Sequence, residues 1–311
     1  MNRHLSRRRF TRNAALSATL LALDPARVLG VRSDKLHIAT NVYPWQTFYR
    51  RVNKDHNALL DSMLAQVAAA GLDGFEGIGG SPADLDRLIR LLKKHGLEMR
   101  SLYVNSTLHD PDQVESSITG ILKTADKARA AGTRIIVTNP NPIRWGGPEN
   151  KNDQQIRFQA RALNRLGKAL KAKGITLAYH FHDIELRAAA RELHHMMVGT
   201  DPDLVSLCFD AHWVYRGAGN SEVAVFDIAA LYAERISEVH IRQSKDDTWT
   251  EALGPGDIDY PKLVSLLQQR GVRPLLVLEQ AVENASPNTM TAEAAHRQGV
   301  QYARRVFAPL G

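Results

Sequence analysis

Two rhythms of apolar positions alternate along this chain. Apolar residues three and four apart predict helices over Ala58–Ala70, Leu85–Lys94, Val114–Ala131, Gln155–Ala172 and Tyr260–Gln269. Between such stretches run short apolar segments that end in a polar residue. They predict eight strands: Leu36–Asn41, Gly74–Gly77, Met99–Val104, Ile135–Thr138, Ile175–His180, Ser206–Asp210, Glu238–Ile241 and Leu275–Glu279. A glycine stands between helix and strand at Gly71, Gly96, Gly132, Gly174 and Gly271, where a helix is closed by a left-handed residue.

The repeated phrase is a βα unit, and eight strands alternating with helices predict an α/β fold of the (β/α)8 TIM barrel type. One such barrel over 35–309, behind a leader at 1–30, fits the length of 311 residues without a second domain. An open doubly wound sheet is the competing architecture. It calls for a Gly-x-Gly-x-x-Gly turn after the first strand, and Gly77-Ile78-Gly79-Gly80 does not supply one.

A barrel gathers the C-terminal ends of its strands at one mouth, so residues scattered in sequence become neighbours. Asn41, Glu76, Asn105, Asn139, His180 and His182 are predicted to face it, with Asp210, His212, His240, Arg242 and Glu279 from the second half. In the fifth strand Ile175, Leu177 and Tyr179 point to one side, while Thr176, Ala178, His180 and His182 point to the other. His180, Asp210, His240 and Glu279 end four successive strands, and two imidazoles with two carboxylates can close on a divalent ion. Such a mixed nitrogen and oxygen set suits Mn²⁺ or Zn²⁺ better than Ca²⁺. Any one of the four could equally be a hydrogen-bonding residue at a barrel mouth; all four at successive strand ends favour the ion. Long loops are expected at 140–154 and 243–258, where Trp145 and Trp249 either stack on a sugar or pack a loop onto the barrel.

The charge balance changes the picture only at the N-terminus. Six arginines against Asp24 place +5 of the chain's +7 in the first thirty residues and leave +2 for the rest. A near-neutral body is a poor footprint for nucleic acid despite a pI near 9.5. Ser6-Arg7-Arg8-Arg9-Phe10, followed by the mildly apolar Ala14–Leu23, matches a twin-arginine signal. The expectation is export by the twin-arginine (Tat) machinery to the periplasm without stable membrane insertion; a disordered basic N-terminus is the plainer alternative. Cys208, the single cysteine, excludes an internal disulfide and is expected to be a buried, inert thiol.

Four stretches carry a family resemblance: Tyr179-His180-Phe181-His182-Asp183-Ile184-Glu185, Phe209 to Trp213 with Gly217-Ala218-Gly219, Val239-His240-Ile241-Arg242, and Leu253 to Tyr260. They resemble motifs of the xylose isomerase-like barrels known as sugar phosphate isomerases and epimerases, a group that includes inosose dehydratases and 3-keto-glycoside hydratases. The resemblance implies that Asp210, His240 and Glu279 are metal ligands. His180 stands where the ketose epimerases carry a ligand glutamate that shuttles the proton, so an eliminating or hydrating enzyme suits the chain better than a plain epimerase.

The chemistry implied is removal of a proton beside a carbonyl, with the ion stabilising the enediolate. His182, or His180 if it is not a ligand, is the expected base; Glu279 or Glu185 is the expected acid on the other face. Arg242 stands where the family usually has lysine and would hold an anion or a developing oxyanion. Glu185 could equally be the first-turn carboxylate of the following helix. Glu76, Asn139 and His212 are expected to bind substrate, Asp183 to cap the helix near Ile184, and Asp259 to cap the helix at Tyr260. The expected substrate is a small-molecule sugar or keto-glycoside, and an oligomer is compatible with the pattern. A secreted carbohydrate-binding barrel without turnover is the competing function. An endonuclease-like phosphodiesterase would need further ligands and a basic groove.

Overall fold

Eight parallel strands close into a barrel in the computed structural model, which describes residues 36–311. The expected leader, with its twin-arginine pattern, lies outside the described residues. The barrel strands are β1 (Ile38–Asn41), β2 (Gly74–Ile78), β3 (Ser101–Tyr103), β4 (Ile135–Thr138), β5 (Thr176–Tyr179), β6 (Val205–Asp210) and β7 (Ile236–Ile241). After a two-stranded ribbon, β8 (Ser244–Lys245) and β9 (Thr248–Trp249), the eighth barrel strand is β10 (Leu275–Leu278), which closes the ring against β1. Helices α1 (Val42–Arg51), α2 (Leu60–Ala69), α3 (Pro82–His95), α4 (Val114–Ala130) and α5 (Asp153–Lys171) follow in the first half. The second half holds α6 (Arg187–Gly199), α7 (Ala211–Gly217), α8 (Glu222–Tyr232), α9 (Tyr260–Gln269) and α10 (Ala292–Val306). Among the described residues, no helix is long and apolar enough to cross a membrane.

The helix stops lie where the glycines predict them. All five glycines have positive φ, from +67° at Gly96 to +106° at Gly132, a conformation costly for residues with a Cβ. Helix starts are equally local. Ser81 and Asp84 form a capping box at α3 with Pro82 in the first turn, Asn152 and Gln155 form one at α5, and Asp259 caps α9 by accepting from the Lys262 amide at 3.0 Å. Gly77 belongs to β2 and not to a phosphate-binding turn. A Cβ there would stand 2.3 Å from Leu88 Cδ2, so α3 packs directly on the strand.

Outward strand residues and inward helix residues form the main core. Leu177, Tyr179, Leu207, Phe209, Val239 and Ile241 all belong to it, as the alternation predicts. Inside the barrel the apolar cluster is small: Ile135, Val137, Ala178 and the buried thiol Cys208, with Tyr103 and Leu275 against it. TIM barrels ordinarily fill this space with layers of branched aliphatics. Here much of the upper interior is polar instead.

One irregularity aligns that polar layer. Between β6 and β7 the register runs Leu207 to Ile236 and then Cys208 to Glu238, so Ser237 is an extra residue. A bulge of this kind turns the strand and re-aims its side chains. Ser237 meets Ser206 (Oγ to Oγ 2.7 Å), Glu238 meets Cys208, and His240 comes level with Asp210.

Candidate metal centre and active site

The bulge and the ring closure bring the four strand-end residues together. Donor atoms of His180, Asp210, His240 and Glu279 all lie within 4.8 Å of one another, and all four residues are buried. Asp210 caps α7: its Oδ1 accepts from the amides of His212 at 2.9 Å and Trp213 at 2.8 Å, and Oδ2 has no hydrogen-bond partner. His180 leaves both ring nitrogens without a partner, and its Nε2 stands 3.8 Å from Asp210 Oδ2. His240 Nδ1 stands 2.7 Å from Glu279 Oε2, yet the two are not aligned as a hydrogen bond. Buried polar atoms without partners are costly. Here they point at a common space with two nitrogen and two oxygen donors, and that set fits a divalent ion.

Glu279 is held from the other side. Arg242 Nη2 donates to its Oε1, Arg242 Nε donates to its backbone oxygen at 3.0 Å, and Asn41 Nδ2 donates to Oε2 at 2.5 Å. Burial pushes this carboxyl upward, but the Arg242 guanidinium and His240 outweigh burial and hold it well below the usual carboxylate range. Arg242 itself is fully buried, with its guanidinium 4.2 Å from the Trp249 ring centre and 4.9 Å from that of Trp213. It therefore serves Glu279 and does not line the cavity, so an anion-holding role toward substrate is not what the geometry gives it.

Above the cluster lies a cavity of about 420 Å³. Its floor includes Asn41, Glu76, His180 and Glu279, and its rim includes Trp145, Ile184, Arg187 and Trp213. His182 sits in its wall, edge-on to Trp145 (5.4 Å) and Trp213 (5.2 Å). Asn139 orients it. The Asn139 amide nitrogen donates to the His180 carbonyl at 3.0 Å, so its Oδ1 faces His182 Nδ1 at 3.2 Å. That contact keeps the proton on Nδ1 and leaves Nε2 free to accept one. Burial, and then His180, lower the His182 pKa to about 3, so the ring is neutral at pH 7. Glu76 reaches the cavity from β2, three strands from β5 around the ring. Burial and the nearby Glu238 push its pKa up to about 7.

Four expected site residues are placed elsewhere. Asn139 is buried behind His182 and off the cavity, as above. His212 is buried in the first turn of α7, where Nε2 meets Ser244 Oγ at 3.0 Å. The strand ends at Asp210, and the helix it caps carries His212 away from the mouth. Glu185 is buried and accepts the His182 amide at 2.8 Å through Oε2, which is the first-turn carboxylate role and not one toward substrate. Asn105 is exposed and does not line the cavity. Asp183 makes no cap and instead lines the cavity. The two loop tryptophans divide: Trp145 is 54% exposed at the rim, whereas Trp249 is buried over Arg242. Trp249 arrives there on the β8–β9 hairpin, whose turn residues Asp246 and Asp247 have φ of +51° and +63° and donate their amides to Asp257.

Sequence reasoning missed Glu238, a fully buried carboxylate in the barrel interior. Its signal was present, because Glu238, His240 and Arg242 share one alternation along β7.

Comparison with known proteins agrees with this architecture. The profile of a family described as "Xylose isomerase-like TIM barrel" matches residues 64–306. An inosose dehydratase of Clostridium perfringens is 25% identical over 259 residues, which cover 74% of this chain and 85% of that protein. The D-allulose 3-epimerase of a Methylomonas species, solved in complex with D-allulose, superposes with a TM-score of 0.67 at 16% identity, covering 87% of this chain and 97% of that one. A xylose isomerase-like TIM barrel protein of Mycobacterium smegmatis, in complex with magnesium, gives 0.67 at 14% identity, with coverages of 89% and 98%.

Proposed function

The chain belongs to the xylose isomerase-like TIM barrel family, and from that membership we propose that it is an enzyme of the isomerase, epimerase and dehydratase kind acting on a sugar or keto-glycoside. The observation that carries this reading is the convergence of four buried side chains, His180, Asp210, His240 and Glu279, the first three with partnerless atoms, beside a cavity of about 420 Å³. These four residues would hold a divalent ion, Mn²⁺ or Zn²⁺ by their donor set. Such an ion supplies Lewis-acid stabilisation of the negative charge that develops on substrate oxygens.

The chain's own residues divide the proton work. His182 Nε2, freed by the Asn139 contact, takes a proton from the carbon beside the substrate carbonyl, and the C–H electron pair moves into an enediolate. Glu76, on the other side of the mouth, returns a proton. Delivered to an oxygen substituent on the next carbon, it accompanies loss of that group and gives elimination. Delivered to the carbon itself, it gives epimerisation. The inosose dehydratase relatives and the imidazole at position 180 favour elimination, or its reverse, hydration. Trp145 and Trp213 at the rim offer faces for stacking a sugar ring and screen the site from water.

Export to the periplasm by the twin-arginine route is part of the same proposal and is supported by Ser6-Arg7-Arg8-Arg9-Phe10. The test of the reaction is incubation of the purified protein and Mn²⁺ in D₂O with a panel of 3-keto-glycosides and free ketoses. Deuterium entering at a carbon next to the carbonyl supports enolisation. Binding without any exchange would leave a receptor or a hydride shift and overturn the proposal.

A further inference from the structure

Glu238 lies one layer below the cluster, where a barrel of this kind would carry an aliphatic side chain. It is fully buried, does not line the cavity, and so cannot reach a substrate. Its Oε1 meets His240 Nε2 at 3.2 Å in hydrogen-bonding geometry; Glu76 Oε2 is 3.3 Å from the same nitrogen but is not hydrogen-bonded to it. Cys208 Sγ, opposite in the register set by the bulge, lies 3.6 Å from the same Glu238 oxygen and donates to it. His240 thus has one ring nitrogen on a carboxylate acceptor below and the other facing Glu279 above.

We propose that Glu238 is a positioning residue: by accepting the Nε2 proton of His240 it fixes the tautomer and the tilt of the ring that present the bare Nδ1 to the Asp210 and Glu279 side. A carboxylate cannot donate, so the nitrogen facing it carries a proton, and in the neutral ring that binds an ion the lone pair is then on Nδ1. Partners of this kind orient metal-bound imidazoles and make them more basic, and their loss costs about 10- to 100-fold in ion affinity. The burial cost of an interior carboxylate also has a reason on this account, since an aliphatic residue would pack better and leave the imidazole free to turn. The inference rests on the reading that His240 and its three neighbours hold a divalent ion.

The test compares the wild-type chain with Glu238→Leu, Glu238→Asp and Glu238→Gln. Leucine removes the acceptor at similar volume, aspartate keeps the charge but withdraws it by one methylene, and glutamine keeps an acceptor oxygen in place. Mn²⁺ affinity is measured by calorimetry on metal-stripped protein, and the His240 tautomer by ¹⁵N NMR on the same metal-free samples, with His240→Ala giving the assignment. Expected are an Nε2-protonated ring in the wild type, affinity lower by about 10- to 100-fold with a changed or mixed tautomer in the leucine and aspartate variants, and near-wild-type behaviour for glutamine. Should leucine prevent folding, aspartate decides, because a role limited to filling space or supplying charge would spare it. Unchanged tautomer and affinity in a folded leucine or aspartate variant would overturn the proposal. A wild-type chain that binds no Mn²⁺ would sink the metal reading instead, and the tautomer measurement would still decide the role of Glu238.

Discussion

The two ends of this barrel differ in a way that size would misjudge. The larger hollow, about 980 Å³, lies at the N-terminal ends of the strands, among Leu92, Lys93, Arg100, Arg134, Ser237 and Arg273. Its three guanidiniums are already partnered: Arg100 Nε donates to Glu98 at 2.6 Å, Arg134 donates to the carbonyls of Gly132 and Thr133, and Arg273 donates to that of Gly311. The smaller cavity at the C-terminal mouth is lined by Asn41, Glu76 and His180, each with a buried polar atom that has no partner. Chemistry is marked by that unmet demand and not by volume, in keeping with the division of barrels into a stability face and a catalytic face.

The largest loss is expected at the mouth, from His240→Ala. That substitution removes the proposed ligand between Glu279 and Glu238, and loss of divalent-ion binding is expected with turnover reduced by about 10³-fold or more, read by calorimetry and initial rates. His182→Gln tests a different part of the mouth. Turnover should fall by about 10²-fold while ion affinity stays at the wild-type level, because this ring serves as base and not as ligand.

A buried histidine that belongs neither to the cluster nor to the cavity lining separates burial from function. His296 on α10 stacks on Trp45 at 4.3 Å, and burial lowers its pKa from 6.5 to about 4. The unfolded chain therefore binds more protons in that window, so the stability from this group is present above pH 6.5 and is lost as pH falls through about 4. Urea midpoints across this range should fall with acidification, and His296→Leu should flatten the decline by about 3 kcal/mol. The smallest effect is expected at the other end of the barrel. Arg100→Ala, at a side chain 43% exposed, should leave turnover unchanged and shift stability by no more than about 0.5 kcal/mol.

What the sequence made legible follows from how local each signal is. Helix stops at Gly71, Gly96, Gly132, Gly174 and Gly271 and the inward face of Ala178 and His180 depend on backbone angles and strand alternation alone, and they match the structure. The strand-end convergence was legible because ring closure follows from counting βα units. Readings failed where a side chain's role depends on where an element ends. His212 was carried off the cavity because Asp210 stops β6 by capping α7; of the two roles open to Glu185, the turn that follows β5 gives it the structural one, on the His182 amide. Glu238 shares the alternation of His240 and Arg242 and was legible from it, whereas the bulge at Ser237 that sets it opposite Cys208 is announced by no local pattern. The β8–β9 hairpin lay inside a stretch read only as a long loop, although its paired aspartates suit a tight turn.

In the reading proposed here four buried side chains, His180, Asp210, His240 and Glu279, converge on one divalent ion. Crystals grown with Mn²⁺ and measured at the manganese absorption edge test it most directly. The account predicts one anomalous peak per chain, ringed by His180, Asp210, His240 and Glu279 beneath the cavity. No peak among these four, or an ion held elsewhere with their side chains turned away, would contradict it.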